Sequence, residues 1–305
     1  MLVVFGSINA DLLFRVEALP KPGETVLCPG WSFAPGGKGA NQAAAAAKAG
    51  AEVAFVGRIG DDAYGPILRQ DLEAAGVSCG GLRRSARPTG TAVIAIDDHG
   101  ENAIIVASGA NLDVTEIQLE GGWLGPGRTL LCQNEIPPSA THAAIHRASL
   151  AGARTILNLA PAAVLPTEVL ADLDVLVVNE HEAATLVGQQ GAPADLASAL
   201  ARAHELTCVV TLGAAGTLAV GPSGAWRAGV LAVDIVDTTG AGDAFTGVLA
   251  ACFDQGRSMP DALARASVAA GLCCERLGAR DGQPSALQIE ARLADLPPVV
   301  QLATP

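Results

Sequence analysis

"DVLVVNEHEAATL" (174–186) runs from an unbroken apolar stretch into a polar pair and then into an alanine-bearing helical pattern. Val175 to Val178 carry no polar alternation, which suits a strand buried on both faces. Asn179 and Glu182 stand three apart, so they share one face of the turn that follows. Such a pair is either the cap of a helix start or a handle for hydrated Mg²⁺.

The same unit repeats along the chain. Strand-like runs occur at "LVVF" (2–5), "EVAFVG" (52–57), "TLLCQN" (129–134), "RTILNLAP" (154–161) and "CVVTLG" (208–213). Between them lie helical stretches at 39–49, 63–75, 139–151, 194–203 and 241–255. This alternation predicts an α/β fold, a parallel sheet covered by helices on both faces. Two regions break the rhythm. Residues 10–35 are rich in Pro and Gly with short runs "LLFRVEAL" and "ETVLCPGWSFA", and "GTAVIAIDDHGENAIIVAS" (90–108) reads as a hairpin turning at "DDHGE". Both read as strands of a small separate sheet over one edge of the core, which would make a lid, the alternative being edge strands added to the main sheet. The expected division is a core of 1–9, 36–86 and 111–305 with a β-lid of 10–35 and 87–110.

At 305 residues, half of them apolar, the chain is long enough for one large domain with a substantial core. A formal net charge of −12 argues against nucleic acid or an anionic membrane as partner. "MLVVFGSINADLL" has no basic start and meets Asp11 early, so it reads as a buried strand and not a signal peptide. No apolar run is long enough to span a membrane. The seven cysteines are odd in number and lack CxxC spacing, which suggests reduced thiols in a cytoplasmic protein.

In an open α/β sheet, ligands bind beyond the carboxyl ends of the strands. Polar residues gather there: Asn9 and Asp11, Glu135, Asn158, Asn179, and Thr211 with Gly213. Together they predict a lined crevice. Several familiar motifs fail on their spacing. "GSINAD" after the first strand is not GxGxxG, and "GAGDAFTG" misplaces the third glycine. "SFAPGGKGAN" has Ser32 where a P-loop needs Gly, and Gly39 where it needs Ser or Thr. His142 and His146 stand at i and i+4, but no Glu follows His142, so they read as a solvated helix face. "APGGKGANQAAAA" (34–46) remains: Gly36 and Gly37 admit a ligand close to the backbone, and Asn41 lies about a turn into the next helix.

The chain resembles the ribokinase family, the PfkB-type sugar kinases. The resemblance runs from "GSINADLLFRVEALPKPGET" through "GGKGANQA", "GTAVIAID", "GENAIIVASGAN", "NLAPA", "NEHEA" and "TLGAAG" to "DTTGAGDAF" and "GQPS", almost the whole sequence. It implies a Rossmann-like αβα sandwich with a small β-sheet lid that pairs between subunits into a homodimer. It implies transfer of the γ-phosphoryl group of ATP, with Mg²⁺, to the primary 5-hydroxyl of D-ribose. Deoxyribose, another sugar or a nucleoside is the alternative acceptor, and a silent sugar- or nucleotide-binding relative the other alternative. By the same resemblance Asn9, Asp11, Gly37, Asn41 and Glu135, with Gly36 and Lys38 beside them, would hold sugar hydroxyls. Asn179 and Glu182 would lie near Mg²⁺ and the phosphates, with Thr211, Gly213 and Gly216 in the nucleotide turn. The backbone of Gly240, Ala241 and Gly242 would form an anion hole, and Asp243 would be the catalytic base. A K⁺ loop would use Asp237, Thr239 and Ser285, but "LGARDGQPS" (277–285) is two or three residues longer than the family's usual segment. Ser267 stands where a His or Asn is expected beside the adenine.

Overall fold

The computed structural model describes residues 1–303. Along the chain, β1 (Leu2–Phe5) leads to β2 (Asn9–Arg15), β3 (Trp31–Gly36), α1 (Lys38–Lys48), β4 (Val53–Gly60), α2 (Tyr64–Ala74) and β5 (Ser78–Ser85). Next come β6 (Gly90–Ile96), β7 (Asn102–Ala107), β8 (Thr129–Gln133), α3 (Pro138–Leu150), β9 (Arg154–Asn158), α4 (Thr167–Ala171) and β10 (Val175–Asn179). Then follow α5 (Glu180–Val187), α6 (Pro193–His204), β11 (Thr207–Thr211), β12 (Thr217–Gly221) and β13 (Gly224–Ala228). The chain closes with α7 (Ala241–Asp254), α8 (Met259–Cys273), α9 (Ala286–Arg292) and β14 (Val300–Leu302).

The apolar strands are explained by their two covered faces. In β1, Leu2 and Val4 enter one core while Val3 and Phe5 enter the other, as the two-residue side-chain period requires. The first core is closed by α1, α2, α7, α8 and α9, the second by α3 to α6. Ten strands make the central sheet in the order β14-β13-β12-β11-β10-β9-β8-β1-β4-β5. From β11 to β5 every neighbouring pair is parallel. The α/β fold expected from the sequence is therefore present. The edge formed by β12, β13 and β14 is antiparallel and was not read from the sequence. Its connections from β11 to β12 and from β12 to β13 are too short for a crossover helix, so the strands can only turn back.

A second sheet of four strands has the order β3-β2-β6-β7. The hairpin of β6 and β7 turns at 97–101, as the sequence suggested. The run at 24–34 does not become one strand: β3 starts only at Trp31, which pairs with Phe14. Beyond that register β2 has almost no residues left to offer, and Pro29 lacks the N–H a ladder needs.

Two helices meet with unusually little between them. A Cβ on Gly247 of α7 would lie 2.4 Å from the Gln42 carbonyl oxygen and 2.9 Å from the Ala45 Cβ of α1. Glycine at this crossing lets α1 and α7 pack backbone to side chain.

Candidate active site

Strand order reverses at β1, which has β8 on one side and β4 on the other. Crevices at the carboxyl ends of such strands take ligands, and the N-termini of α1 and α7 open there. Asp243, in the first turn of α7, is buried. Both its oxygens are held by side-chain amides from α1: Asn41 Nδ2 donates to Oδ2 at 3.0 Å and Gln42 Nε2 to Oδ1 at 2.9 Å. Gln42 is fixed in turn, since its Oε1 accepts from Gln133 Nε2 at 2.7 Å and its Nε2 also donates to Asn158 Oδ1 at 2.9 Å. A carboxylate held this way has one orientation.

On one side of Asp243 lies the start of β2. Asn9 and Asp11 sit two apart on that strand and so face the same way; they belong to β2 itself, not to the end of β1. Room for them comes from glycines on both flanking strands. A Cβ at Gly36 would meet the Asp11 carboxylate at 2.0 Å, and one at Gly90 would meet Asn9 Oδ1 at 2.3 Å. Asn9 Oδ1 accepts from Asn111 Nδ2 at 2.8 Å. Gly37, the residue before α1, has φ 87°, and a Cβ there would meet the Asn9 nitrogen at 2.8 Å. Glu135, beyond β8, accepts from Ser7 Oγ at 2.6 Å and from the Lys38 backbone N–H at 3.0 Å.

Asp11 Oδ1 is buried without a hydrogen-bond partner among the described residues. Burial, then the nearby Glu135 and Asp243 carboxylates, push its pKa up to about 7, against the pull of Arg280. An unfolded Asp titrates near ~4, so this group favours the folded state only while protonated. Its contribution is full below about pH 4 and is lost as pH rises towards 7. Asp11→Asn should therefore raise Tm, by more at pH 8 than at pH 5. Calorimetry at the two pH values checks this, and a gain independent of pH would disprove the assignment.

On the other side, a cleft of about 150 Å³ brings together Lys38, Asn179, Glu182, Thr211, Gly240, Gly242 and Asp243. Asn179 and Glu182 form a capping box at the start of α5: Asn179 Oδ1 accepts from the Glu182 N–H, and Glu182 Oε2 from the Asn179 N–H, both at 2.8 Å. Burial raises the Glu182 pKa, although the Asn179 N–H, Lys38 and His181 oppose the rise. For Lys38, burial acts downward, but Asp243, Glu135 and Glu182 outweigh it and the pKa is raised, so the ammonium stays charged. Gly213 (φ 54°) and Gly216 (φ 90°) bend the turn after β11, which the Leu212 N–H closes on the Gly216 carbonyl at 2.8 Å. Gly240 precedes α7 with φ 79°. The Ala241 N–H is turned to the Thr238 carbonyl at 3.2 Å, whereas the Cα of Gly242 faces open space.

Of Asp237, Thr239 and Ser285, the first two side chains meet, and the third makes its hydrogen bonds elsewhere. Asp237 Oδ1 accepts from the Thr239 N–H and hydroxyl at 2.9 and 2.6 Å, and its Oδ2 from the Gly278 N–H at 2.8 Å. The Ser285 hydroxyl is engaged with Gln288 in the cap of α9. Among the described residues no group of three or more His, Cys, Asp or Glu side chains is placed to hold a metal ion.

Sequence reasoning missed Ser7, Gln42, Asn111, Gln133 and Arg280. Gln42 carried the clearest available signal, a long amide in the buried part of an alanine helix. An amide so buried needs a polar partner.

Residues 1–286 match the pfkB family carbohydrate kinases. The chain is 33% identical over 306 residues to a ribokinase of Schizosaccharomyces pombe, covering 95% of this chain and 96% of that one. Its structure superposes on a ribokinase crystal structure from Thermotoga maritima with a TM-score of 0.89 at 33% identity, covering 96% and 99% of the two chains. With the Arabidopsis thaliana ribokinase complexed with ribose and ATP the TM-score is 0.86 at 34% identity, covering 96% and 98%. The open crevice, the buried acid at a helix start and these likenesses over nearly the full length lead to one assignment: the chain belongs to the pfkB family of carbohydrate kinases.

Proposed function

We propose that the protein transfers the γ-phosphoryl group of ATP to the 5-hydroxyl of D-ribose, giving ribose 5-phosphate and ADP. The observation that carries the chemistry is Asp243, held on both oxygens at the first turn of α7 and bordering the cleft lined by Lys38, Glu182 and Thr211. The likeness to ribokinases over nearly the full chain supports ribose as the acceptor.

In this reading Asn9, Asp11, Gly36, Gly37, Lys38, Asn41 and Glu135 surround the sugar. Carboxylates and amides match hydroxyls, each of which donates and accepts. ATP lies along Thr211, Gly213 and Gly216, with its phosphates towards Lys38 and the start of α7. As the new bond forms between the sugar oxygen and the γ-phosphorus, the hydroxyl proton passes to Asp243 and the bond to the ADP oxygen breaks. The transition state is loose, so the proton leaves late and a carboxylate aligned on the oxygen suffices. N–H groups of the α7 first turn and the Lys38 ammonium receive the charge on the moving phosphoryl group. Gly242, with no side chain, leaves the phosphate room.

The Glu182 carboxylate, buried and bordering the cleft, suits Mg²⁺ held through water. Bound Mg²⁺ would neutralise the β- and γ-phosphate oxygens. Asp237, with the Thr239 hydroxyl on it, is read as one side of a monovalent-cation loop, and no step is assigned to K⁺. The four-stranded sheet is read as a lid, and its exposed Trp31, Ile104, Ile105 and Val106 support pairing into a homodimer. Seven free cysteines suit a cytoplasmic protein.

Coupled ADP release with ATP and Mg²⁺ over pentoses, hexoses and nucleosides, with and without K⁺, tests the assignment. D-ribose is expected to give the highest kcat/KM. A hexose or nucleoside ahead of it would overturn the acceptor.

A further inference from the structure

Arg280 lies in the segment between α8 and α9, and its side chain is 7% exposed. Its Nη1 pairs with Asp71 of α2, and its Nε donates to Asn41 Oδ1 at 2.8 Å. The segment around it is fastened at three more points, one of them Asn41 itself. Lys48 Nζ donates to the Arg280 carbonyl at 2.8 Å, Gln283 Nε2 to the Asn41 carbonyl at 2.9 Å, and the Gly278 N–H to Asp237 Oδ2 at 2.8 Å. Nη2 is buried without a hydrogen-bond partner among the described residues. Burying a guanidinium is costly, and apolar residues in place of a buried ion pair are often as stable or more so. Packing alone therefore gives no reason for an arginine here.

The orientation of Asn41 does. The two ends of an amide have nearly the same shape and opposite hydrogen-bonding character. Turned one way, Asn41 offers its NH₂ to Asp243; turned the other, it sets an oxygen against a carboxylate. Arginine has donors only, so Arg280 binds the amide oxygen and leaves the NH₂ for Asp243 Oδ2 at 3.0 Å. We propose that Arg280 is a positioning residue for phosphoryl transfer, locking the Asn41 amide so that Asp243 keeps its alignment on the acceptor hydroxyl. This rests on Asp243 being the base. Without the lock, Asp243 pivots on Gln42 alone, and a small misplacement of a reacting group lowers turnover steeply.

The test compares Arg280→Met/Asp71→Leu, which removes the buried pair as a unit, with wild type, Asp243→Asn and the triple variant. The double variant is expected to keep its Tm within a few degrees and its KM for ATP within about threefold. Its kcat should fall by about 10- to 100-fold. In the Asp243→Asn background the same pair of changes should add less than about twofold, because the lock then has no base to align. Wild-type kcat in the double variant, or a full additional loss on top of Asp243→Asn, overturns the proposal. Wild-type kcat in Asp243→Asn itself removes the base assignment and the proposal together, so the two failures are distinguishable. Where the double variant does not fold, Arg280→Lys replaces it. An ammonium paired with Asp71 lacks the fork that also reaches Asn41, so a similar kcat loss is expected and an unchanged kcat overturns the proposal.

Discussion

Asp243→Asn is expected to lower kcat by ~10²–10⁴, the usual contribution of a positioned proton acceptor, while the Kd for ribose stays within about tenfold. The substitution keeps the shape of the side chain and removes its basicity. It also gives the position an NH₂ where both neighbours now donate: Asn41 Nδ2 and Gln42 Nε2 each point at a carboxylate oxygen. One of those donors would face another donor, so part of the amide network must shift. That is why a modest change in ribose affinity accompanies the large loss of turnover. ADP release gives kcat and titration calorimetry gives Kd. A turnover near wild type would take Asp243 out of the chemistry.

Gly240→Ala should damage both fold and turnover. At φ 79° the residue occupies the left-handed region, and a Cβ there would sit 2.6 Å from Ala279 Cα and 2.9 Å from the Ala279 oxygen. These are backbone atoms that cannot swing aside as a side-chain tip would. The left-handed conformation costs alanine about 1–2 kcal/mol and overpacking about 1–3 kcal/mol more. For a chain of this size the sum lowers Tm by roughly 5–10 °C. Because α7 starts at the next residue, kcat should fall at least about tenfold as the first turn is displaced. Gly242→Ala is the control: it has helical backbone and no neighbouring atom within 4 Å, so Tm should barely move while the added methyl group enters the cleft and slows turnover. Equal Tm losses in the two variants would contradict this account.

The parts of the fold that were legible in the sequence are those with a periodic or local cause. Runs such as Val175–Val178 are apolar at every position because both faces of the sheet are covered, and the hairpin at 90–107 announces itself by its turn. β12, β13 and β14 were invisible for the opposite reason. They are short, lie at an edge, and owe their direction to the brevity of the connections. The site divides in the same way. The motif residues stood out at strand and helix ends, but the side chains that hold them did not. Asn111 meets Asn9 across 102 positions, Gln42 meets Asp243 across 201, and Arg280 meets Asp71 across 209. A single polar side chain whose partner is that remote leaves no local pattern.

The glycine contact between α1 and α7 has a mechanical meaning. With Gly247 against Gln42 and Ala45 there is no layer of long side chains to shear, so the two helices travel as one body. Asn41, Gln42 and Asp243 all ride on it, so the proposed base and its two amide supports share one rigid unit. Asp11 and Asn9 ride on a different piece, the four-stranded sheet, which joins α1 through Gly36 and Gly37. On the proposed reading, a closure of the four-stranded sheet would carry Asn9 and Asp11 towards Asp243, while Lys38, Asn41 and Glu135 stay with the core that holds Asp243.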